Sequence, residues 1–417
     1  MPRNLFPYIV TAILIVLDLY VYQGLRFLLK TMPDKWSVII KIGYWLLSLV
    51  VILSFWYLIT VYTGRNSNFL TKSLIALIMI SLLSKLGGAI FLALDDVIRL
   101  FSAGVNLFTK IGGNQTSLGI GRKDFLMKTG ALFATSIAAV MTYGVTKGSH
   151  RYRVIRKDLT IKGLPEEFEG LKILQISDIH SGSFWNKEAV QKGVDKIVQE
   201  KADVVFFTGD IVNNDSSEMD EYIDMFKKIT APLGVFSILG NHDYGEYLPG
   251  YKADDLPNNL VNISKVHKSL GWDLLRNEHR LIEKNGKSLA IIGVENWSNR
   301  MHFSRYGDLD KAYAGSENAD VKFLLSHDPS HWKGEIVKRF KDIVATFSGH
   351  THGMQFGIET AGFKWSPIKY AYPEWAGLYH DQNQMLYVNR GFGYLGFPGR
   401  VGIWPEITVF NLQPGKS

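Results

Sequence analysis

Residues 171–180 read LKILQISDIH and residues 202–210 read ADVVFFTGD, so that a short apolar run ends in polar residues each time. Three later segments repeat this arrangement: GVFSILGNHD at 234–243, VKFLLSHD at 321–328 and DIVATFSGHTH at 342–352. Apolar runs of this length predict buried strands, and the segments with helical spacing between them, such as 187–201 and 217–230, predict helices. The alternation predicts an α/β domain whose strands are largely parallel.

The polar residues at these strand ends carry the functional prediction. In α/β sheets, ligands bind at the carboxyl ends of the strands, so the five segments would bring their Asp, Asn and His residues to one crevice. A single Asp or His after a strand is more often a turn former or a helix cap. Five such ends in one domain favour a common site over that structural explanation.

The composition of the chain differs between its first third and the rest. Residues 1–150 hold 14 Lys and Arg against 5 Asp and no Glu, whereas the remaining residues hold 32 basic and 34 acidic side chains. With 47% hydrophobic and 20% charged residues, a disordered or collagen-like chain is excluded. The basic residues interrupt long apolar runs, which is typical of membrane proteins, and no nucleic-acid duplex is expected as a partner. Because the chain has no cysteine, a metal site would need oxygen and nitrogen ligands.

Four apolar stretches approach the ~20 residues that a helix needs to cross a bilayer. They cover residues 8–25, 42–61, 73–94 and 125–145. The links between the first three are too short for buried helices of a soluble domain, and a signal peptide accounts for one stretch only. The sequence therefore predicts a multi-pass, four-helix transmembrane region over residues 1–149, followed by an α/β domain over residues 150–413.

Several ionisable residues lie within or beside these stretches. Asp18 and Lys85 either pair across two helices, or Lys85 extends its ammonium group to the membrane interface. In the second interpretation, Asp95 and Asp96 mark the end of the third stretch. We favour the second interpretation, because no series of such residues indicates a transport path.

The five strand ends resemble the motifs of the calcineurin-like metallophosphoesterase family, which are D-x-H, G-D-x-x-[DN], G-N-H-[DE], a lone His and G-H-x-H. Here they read DIH, GDIVN, GNHD, SHD and GHTH, and the resemblance covers about residues 150–413. It implies a layered α/β/β/α sandwich. The strand order and the ending PEITVF also resemble the bacterial membrane-anchored branch of the family, transmembrane proteins with a metallophosphoesterase domain, whose members include lipid-precursor hydrolases.

Residue by residue, the resemblance implies two divalent metal ions. The ligands of one ion would be Asp178, His180, Asp210 and His352, and those of the other Asp210, Asn241, His327 and His350. Asp210 would bridge the two ions, because two neighbouring cations need a shared anionic ligand, and a hydroxide between them would be the nucleophile. The oxygen and nitrogen donors suit Mn, Fe, Zn or Co, and the imidazoles make Mg less suitable.

Two catalytic residues follow from the same resemblance. His242 would stabilise the transition state or protonate the leaving oxygen, and Asp243 would hold His242 in the required tautomer. Two further residues are less firmly assigned. Asp328 is either part of the site or a cap before Pro329, and His331 is either part of the site or a surface residue.

Two features bear on the substrate. Arg390 and Arg400 lie in a glycine-rich stretch, and they either bind a phosphate or stabilise a loop. Aromatic residues are frequent after the last predicted ligand, where they form either a lipid- or sugar-facing lip or, as we favour, part of a core. They are Phe363, Trp365, Tyr370, Tyr372, Trp375, Tyr379, Phe392, Phe397 and Trp404.

The predicted function is a membrane-anchored, two-metal phosphoester hydrolase that acts on a phosphodiester, a pyrophosphate or a lipid-linked substrate. One alternative is hydrolysis of the pyrophosphate of UDP-2,3-diacylglucosamine in lipid A synthesis. Another is a non-catalytic phosphate-binding membrane sensor, and a third is a transporter with a soluble appendage. Because one span is enough for an anchor, the additional spans indicate either a lipidic substrate or a homodimer formed through the membrane helices.

The orientation in a bacterial inner membrane depends on a close balance of charge. Four spans place eight basic residues on the side of the catalytic domain and nine on the other side, so the positive-inside rule does not decide. Residues 121–128 resemble a twin-arginine export signal, with Lys123 in place of the second arginine. The basic residues within 151–157, namely Arg151, Arg153, Arg156 and Lys157, carry less weight if they belong to the first strand of the folded domain. We therefore expect the catalytic domain on the exoplasmic side, with a cytoplasmic domain as the alternative.

Overall fold

The computed structural model describes residues 5–61, 68–109, 120–301 and 303–415. They separate into two compact units, one with the long helices up to Tyr143 and one that begins at Gly144. Each unit has its own packing and is described by itself.

Four long helices lie in the described part of the first 150 residues, and each is long and apolar enough to cross a membrane. They are α1 (Phe6–Leu28), α2 (Asp34–Thr60), α3 (Phe69–Thr109) and α4 (Ile120–Thr146). Large apolar side chains such as Leu53, Ile90 and Leu132 are exposed on them, as expected of surfaces that face lipid. The predicted membrane region is thus confirmed as a set of four candidate spanning helices in the part of the chain that the structure describes.

Lys85 does not extend to the membrane interface. Its ammonium nitrogen lies 2.5 Å from Oδ1 of Asp18 and 3.2 Å from the hydroxyl of Ser48. Tyr44 donates its hydroxyl to the backbone carbonyl of Asp18 at 2.8 Å. Our preferred interpretation of Lys85 was therefore wrong, because a buried carboxylate on α1 offers the ammonium group a partner inside the helix bundle.

The third helix also continues past the point where the sequence indicated its end. Asp95 and Asp96 lie inside α3. Nε of Arg99 is 3.0 Å from Asp95, and the hydroxyl of Tyr20 donates to Asp96 at 2.7 Å. The two carboxylates do not end the helix, because both have partners on α3 or α1.

The second unit contains the strands and the shorter helices. The strands are β1 (Arg153–Lys162), β2 (Lys172–Ile176), β3 (Val204–Phe207), β4 (Val235–Ser237), β5 (Asp273–Leu274), β6 (Glu278–Lys284), β7 (Lys287–Gly293), β8 (Val321–Leu325), β9 (Ala345–Ser348), β10 (Ile358–Glu359), β11 (Lys364–Trp365), β12 (Gly377–Asp381), β13 (Gln384–Val388) and β14 (Glu406–Gly415). The helices are α5 (Lys187–Gln199), α6 (Ile223–Phe226), α7 (Leu256–Leu270), α8 (Leu309–Tyr313) and α9 (Val337–Arg339).

Among the described residues, these strands form two six-stranded sheets and one short hairpin. The sheet orders are β1-β14-β2-β3-β4-β5 and β12-β13-β9-β8-β7-β6, and β10 pairs with β11. The strands from β2 to β5 run parallel to one another, as do β7, β8, β9 and β13, whereas β14, β12 and β6 pair antiparallel with β2, β13 and β7. The sheets are therefore mixed, with parallel centres as the apolar runs predict.

The core lies in three layers. Between the sheets, the ring of Phe206 on β3 meets that of Phe347 on β9 with centroids 5.0 Å apart. Val190 and Val194 of α5 pack on the outer face of the first sheet, and Trp332 packs with the residues on the outer face of the second. This arrangement confirms the layered α/β/β/α fold.

Local sequence explains where α5 begins and why the helix predicted over 217–230 is broken. The side chain of Asn186 accepts the backbone N–H of Ala189 at 3.0 Å and caps α5. In the second region, Glu218 accepts the backbone N–H groups of Asn213 and Asn214. This capping holds a 3₁₀ turn at Ser216–Met219, so only the short α6 follows.

Candidate metal centre

The predicted ligands follow five strands that belong to different sheets. β2, β3 and β4 lie in the first sheet, and β8 and β9 lie in the second. Because the two sheets pack face to face with these carboxyl ends at the same edge, the seven predicted ligands form two neighbouring groups. The predicted convergence is therefore observed, although whether each residue binds a metal stays a prediction.

The first group contains Asp178, His180 and His352. Nε2 of His180 lies 3.0 Å from Nε2 of His352, which lies 3.3 Å from Oδ1 of Asp178. Asp178 and His180 have no exposed surface, and His352 is also buried. One nitrogen or oxygen atom from each residue falls within 4.8 Å of the others, a separation that a single cation can span.

The second group contains Asp210, His327 and His350, with Asn241 beside it. Nε2 of His327 lies 3.1 Å from Oδ2 of Asp210 and 3.3 Å from Nδ1 of His350. The same nitrogen of His350 lies 2.8 Å from the amide oxygen of Asn241. Oδ2 of Asp210 is also 3.5 Å from Nε2 of His180, so this carboxylate lies between the two groups.

The donor atoms suit divalent transition metals. Both groups offer imidazole nitrogens and carboxylate oxygens, which Mn, Fe, Zn and Co accept readily. Burial lowers the pKa of His180 to about 3 and that of His350 to about 4. These imidazoles are neutral at pH 7, as metal binding requires.

The charge of the site is concentrated on Asp210. Burial acts to raise its pKa, but the neighbouring His327 and His242 outweigh burial and hold the pKa of Asp210 well below its usual range. For His327, burial acts to lower the pKa, and the carboxylate of Asp210 overcomes it and raises the pKa to about 10. A persistent buried anion therefore lies at the junction of the two groups.

The backbone is strained at most of the predicted ligands. Asp178, His180, Asp210, His350 and His352 adopt φ values of 51°, 48°, 61°, 71° and 50°. This left-handed conformation costs a non-glycine residue roughly 1–3 kcal/mol, and such residues cluster at functional sites. It is held by contacts such as the backbone N–H of His350, which donates to Asp178 at 3.0 Å. No sequence pattern indicated this strain.

The structure corrects the role predicted for Asp243. Its carboxylate accepts the backbone N–H groups of Asp210, Ile211 and Gly240 at 2.8–2.9 Å, so it joins two loops. Nδ1 of His242 instead lies 2.6 Å from the backbone carbonyl of Asn213. The tautomer of His242 is thus held by a backbone carbonyl. Sequence motifs, which consist of side chains, do not reveal such a partner.

Arg390 and Arg400 stabilise the fold and do not face the cleft. Arg390 forms ion pairs with Glu359 and Glu406. Arg400 is fully buried, and its guanidinium group donates to the carbonyl of Gly393 at 2.5 and 2.8 Å. The phosphate-binding alternative for these residues was wrong, because both guanidinium groups are buried, bond to partners within the protein and do not border the cleft described next.

A different arginine, which sequence reasoning missed, lines the cleft. The cleft has a volume of about 520 Å³ and is bordered by Asp210, Asn241, His242, His350 and His352 together with Arg300. The guanidinium group of Arg300 stacks on the ring of Tyr372 at 4.2 Å. No ion pair to Arg300 is found among the described residues. No local motif surrounds Arg300, so only packing identifies it.

The two less firmly assigned residues have clear contacts. Asp328 accepts the backbone N–H of Ser330 at 2.7 Å, as a cap does, and also the hydroxyl of Tyr372 at 3.2 Å. His331 has no exposed surface, and its ring nitrogens lie 2.8 Å from Ser326 and 3.0 Å from Glu335. The surface alternative for His331 was therefore wrong.

Two protein families match different parts of the chain. Residues 171–354 match the family described as calcineurin-like phosphoesterase. Residues 3–149 match the family described as probable calcineurin-like phosphoesterase, transmembrane domain. The resemblance based on the five motifs is confirmed.

Three relatives show how far the similarity extends. A transmembrane protein with metallophosphoesterase domain from Danio rerio is 28% identical over 290 residues, 68% of this chain and 62% of that protein. The uncharacterized metallophosphoesterase YkuE of Bacillus subtilis is 30% identical over 305 residues, 70% of this chain and 97% of the relative. UDP-2,3-diacylglucosamine pyrophosphatase LpxG of Chlamydia trachomatis is 27% identical over 285 residues, 55% of this chain and 81% of the relative. The chain therefore spans less than two thirds of the length of the Danio rerio protein.

Proposed function

Since this chain belongs to the calcineurin-like metallophosphoesterase family, we propose that it is a membrane-anchored, dinuclear metal-dependent phosphoester hydrolase. The proposal takes residues 1–149 as the membrane region and residues 150–413 as the hydrolase domain. One observation carries it: two buried groups of nitrogen and oxygen donors lie side by side, with the carboxylate of Asp210 between them.

In this proposal, each donor group holds one divalent cation. Asp178, His180 and His352 would hold the first cation, and Asn241, His327 and His350 the second, with Asp210 shared between them. Such a pair of cations would bind the phosphoryl oxygens and activate water as the nucleophile. The remaining chemistry belongs to side chains of the protein.

His242 and Arg300 are the side chains proposed to act on the substrate. With Nδ1 of His242 bonded to the Asn213 carbonyl, Nε2 is left to carry the proton for the leaving oxygen. Arg300 borders the same cleft and presents a guanidinium fork, which matches the oxygens of a phosphate group. Its stacking on Tyr372 orients that fork without using its N–H donors.

The substrate class proposed is a lipid-linked phosphodiester or pyrophosphate. The four apolar helices and the similarity to a protein named UDP-2,3-diacylglucosamine pyrophosphatase support it. That nucleotide-linked lipid is the alternative substrate. The non-enzymatic alternative, a phosphate sensor, lacks support because His242 and the donor residues are all present.

Three further features belong to the proposal. The membrane is the inner membrane of a bacterium, the catalytic domain faces the exoplasmic side, and two copies associate through their membrane helices. The orientation is supported by β1, because Arg153, Arg156 and Lys157 belong to a folded strand and so carry less topological weight.

The substitution Asp210→Asn tests the proposed function. Asparagine keeps the shape of the side chain and can still accept the backbone N–H of His242, but it removes the shared charge. We expect metal content to fall and turnover of nitrophenyl phosphoesters to be abolished, measured on the full chain in detergent with Mn²⁺. Asp254→Asn, at an exposed position, is the matched control. Unchanged turnover with full metal occupancy would refute the two-metal assignment.

A further inference from the structure

The hairpin of β10 and β11 has an unusual distribution of polar and apolar side chains. Ile358 lies directly opposite Trp365. Because side chains alternate along extended backbone, Phe356 shares the face of Ile358, and Phe363 shares the face of Trp365. These four residues, Phe356, Ile358, Phe363 and Trp365, form what we term the apolar hairpin face.

This face points away from the protein, whereas the charged face of the hairpin points toward it. Phe356, Ile358 and Phe363 are 41%, 54% and 57% exposed. On the other face, Glu359 forms an ion pair with Arg390, and the ammonium group of Lys364 donates to the carbonyl of Ala376 at 2.5 Å. An exposed apolar face of this kind usually marks a surface that contacts another protein or a membrane.

Arg400 and Val401 connect the end of the last apolar helix to the segment that leads into the hairpin. The backbone N–H of Arg400 donates to the carbonyl of Gly144, near the end of α4, at 3.1 Å. The next residue, Val401, forms a parallel bridge with Phe356 and donates its N–H to Gln355 at 2.7 Å. A Cβ atom at Gly144 would lie 2.6 Å from Val401, so this close approach requires glycine.

Basic and aromatic side chains follow both α4 and the hairpin in the chain. Arg151 and Arg153 stack on the ring of Trp404 at 5.0 and 5.6 Å. The ammonium group of Lys369 lies 5.3 Å from the ring of Tyr370, which is 77% exposed. Aromatic rings with neighbouring cations are typical of the interface between lipid tails and anionic headgroups.

We propose that the apolar hairpin face lies on the lipid bilayer that α4 crosses. The bilayer fits this face better than a protein partner does, because the segment that leads into the hairpin is hydrogen-bonded to residues that contact the end of a spanning helix. Shortly after β11 ends at Trp365, Ile368, Ala371 and Tyr372 line the cleft. Contact with lipid would therefore bring the rim of the cleft to the headgroup layer, where a phosphoester carried by a membrane lipid would enter. This last step rests on the proposed function, whereas the contact with lipid does not.

The absence of cysteine allows a direct test on the full chain. Ile358→Cys and Phe363→Cys are labelled with an environment-sensitive NBD fluorophore in nanodiscs of phosphatidylethanolamine and phosphatidylglycerol, with or without doxyl-labelled phosphatidylcholine as a quencher. Val261→Cys is the matched control, because Val261 is an apolar residue of α7 that is 53% exposed. We expect blue-shifted emission and loss of fluorescence on adding quencher at positions 358 and 363 but not at position 261. Equal quenching at all three positions, or none at 358 and 363, would overturn the proposal.

A second measurement addresses delivery of the substrate. The double variant Ile358→Glu with Phe363→Glu should lower the ratio of turnover of a lipid-borne phosphoester to that of a soluble nitrophenyl phosphoester. The expected loss is roughly tenfold or more, because two apolar side chains lose their lipid contact. The double variant Val261→Glu with Leu281→Glu, at exposed positions elsewhere, should leave the ratio as it is. If the unsubstituted chain hydrolyses neither substrate, the proposed activity fails, and the quenching result still decides the lipid contact.

Discussion

His242 illustrates how much of a catalytic role depends on a single backbone atom. The carbonyl of Asn213 lies 2.6 Å from Nδ1 of His242 and holds the ring at the edge of the cleft. Asn213 is itself held by Glu218, which accepts its backbone N–H. The ring of His242, which follows β4, is thereby oriented by the loop after β3.

The orientation of His242 leads to a prediction about the leaving group. His242→Ala should keep the metal content but lower turnover by about 10²–10⁴-fold, the usual contribution of a positioned general acid. The loss should be smaller for nitrophenyl esters, because their acidic leaving groups need no proton. Metal analysis and rates for a series of leaving groups test this, with the exposed His380→Ala as control. An equal loss across the series would argue for electrostatic stabilisation instead of proton donation.

At the scale of elements, α1 and α3 are joined by the buried pair of Asp18 and Lys85. Asp18 is 2% exposed, and its carboxylate lies 2.5 Å from the ammonium group. Each charge makes the other tolerable in an apolar bundle, so the pair contributes to the pairing of these two helices more than to net stability.

The stability of variants at these two positions follows from this pairing. Asp18→Leu alone leaves a buried ammonium group, and Lys85→Leu alone leaves a buried carboxylate, so each should lower the free energy of unfolding by roughly 3–5 kcal/mol. The double variant replaces the pair by apolar side chains and should recover most of that loss. Thermal unfolding of the full chain in detergent measures all three. A double variant less stable than either single variant would contradict the pairing argument.

At the scale of the whole molecule, the membrane orientation determines which substrates the cleft can reach. The tally of eight basic residues against nine includes three that lie in β1, namely Arg153, Arg156 and Lys157. Folded segments carry less weight in the positive-inside rule. We therefore expect the links between α1 and α2 and between α3 and α4 on the cytoplasmic side, in line with the proposed orientation.

Labelling of introduced cysteines tests the expected exoplasmic orientation. Met301 is 99% exposed in the second unit, and Met301→Cys should react with a membrane-impermeant maleimide in intact spheroplasts. Lys35→Cys, at an exposed position in the first turn of α2, should react only after lysis, because that end of α2 lies on the opposite side. The reverse pattern of labelling would show that the catalytic domain is cytoplasmic.

The features that depend on short stretches of chain can be predicted from the amino-acid sequence. Apolar length predicts the four candidate spans, and apolar runs that end in Asp, Asn or His predict the strands and the residues that meet at their carboxyl ends. Both are local properties, since a helix needs a minimum apolar length and a buried strand a minimum apolar run.

Which side chains face one another depends on the packing of the folded chain. The pairing of Asp18 with Lys85, the bond of His242 to the Asn213 carbonyl and the stacking of Arg300 on Tyr372 all join residues that are distant in sequence. The same is true of the apolar hairpin face, where Phe363 was expected in a core and is 57% exposed, whereas Tyr372 and Trp375 are buried as expected. An aromatic or an arginine has the same local pattern in either place. Its environment is set by the register of the strands and the packing of distant segments, which no local pattern contains.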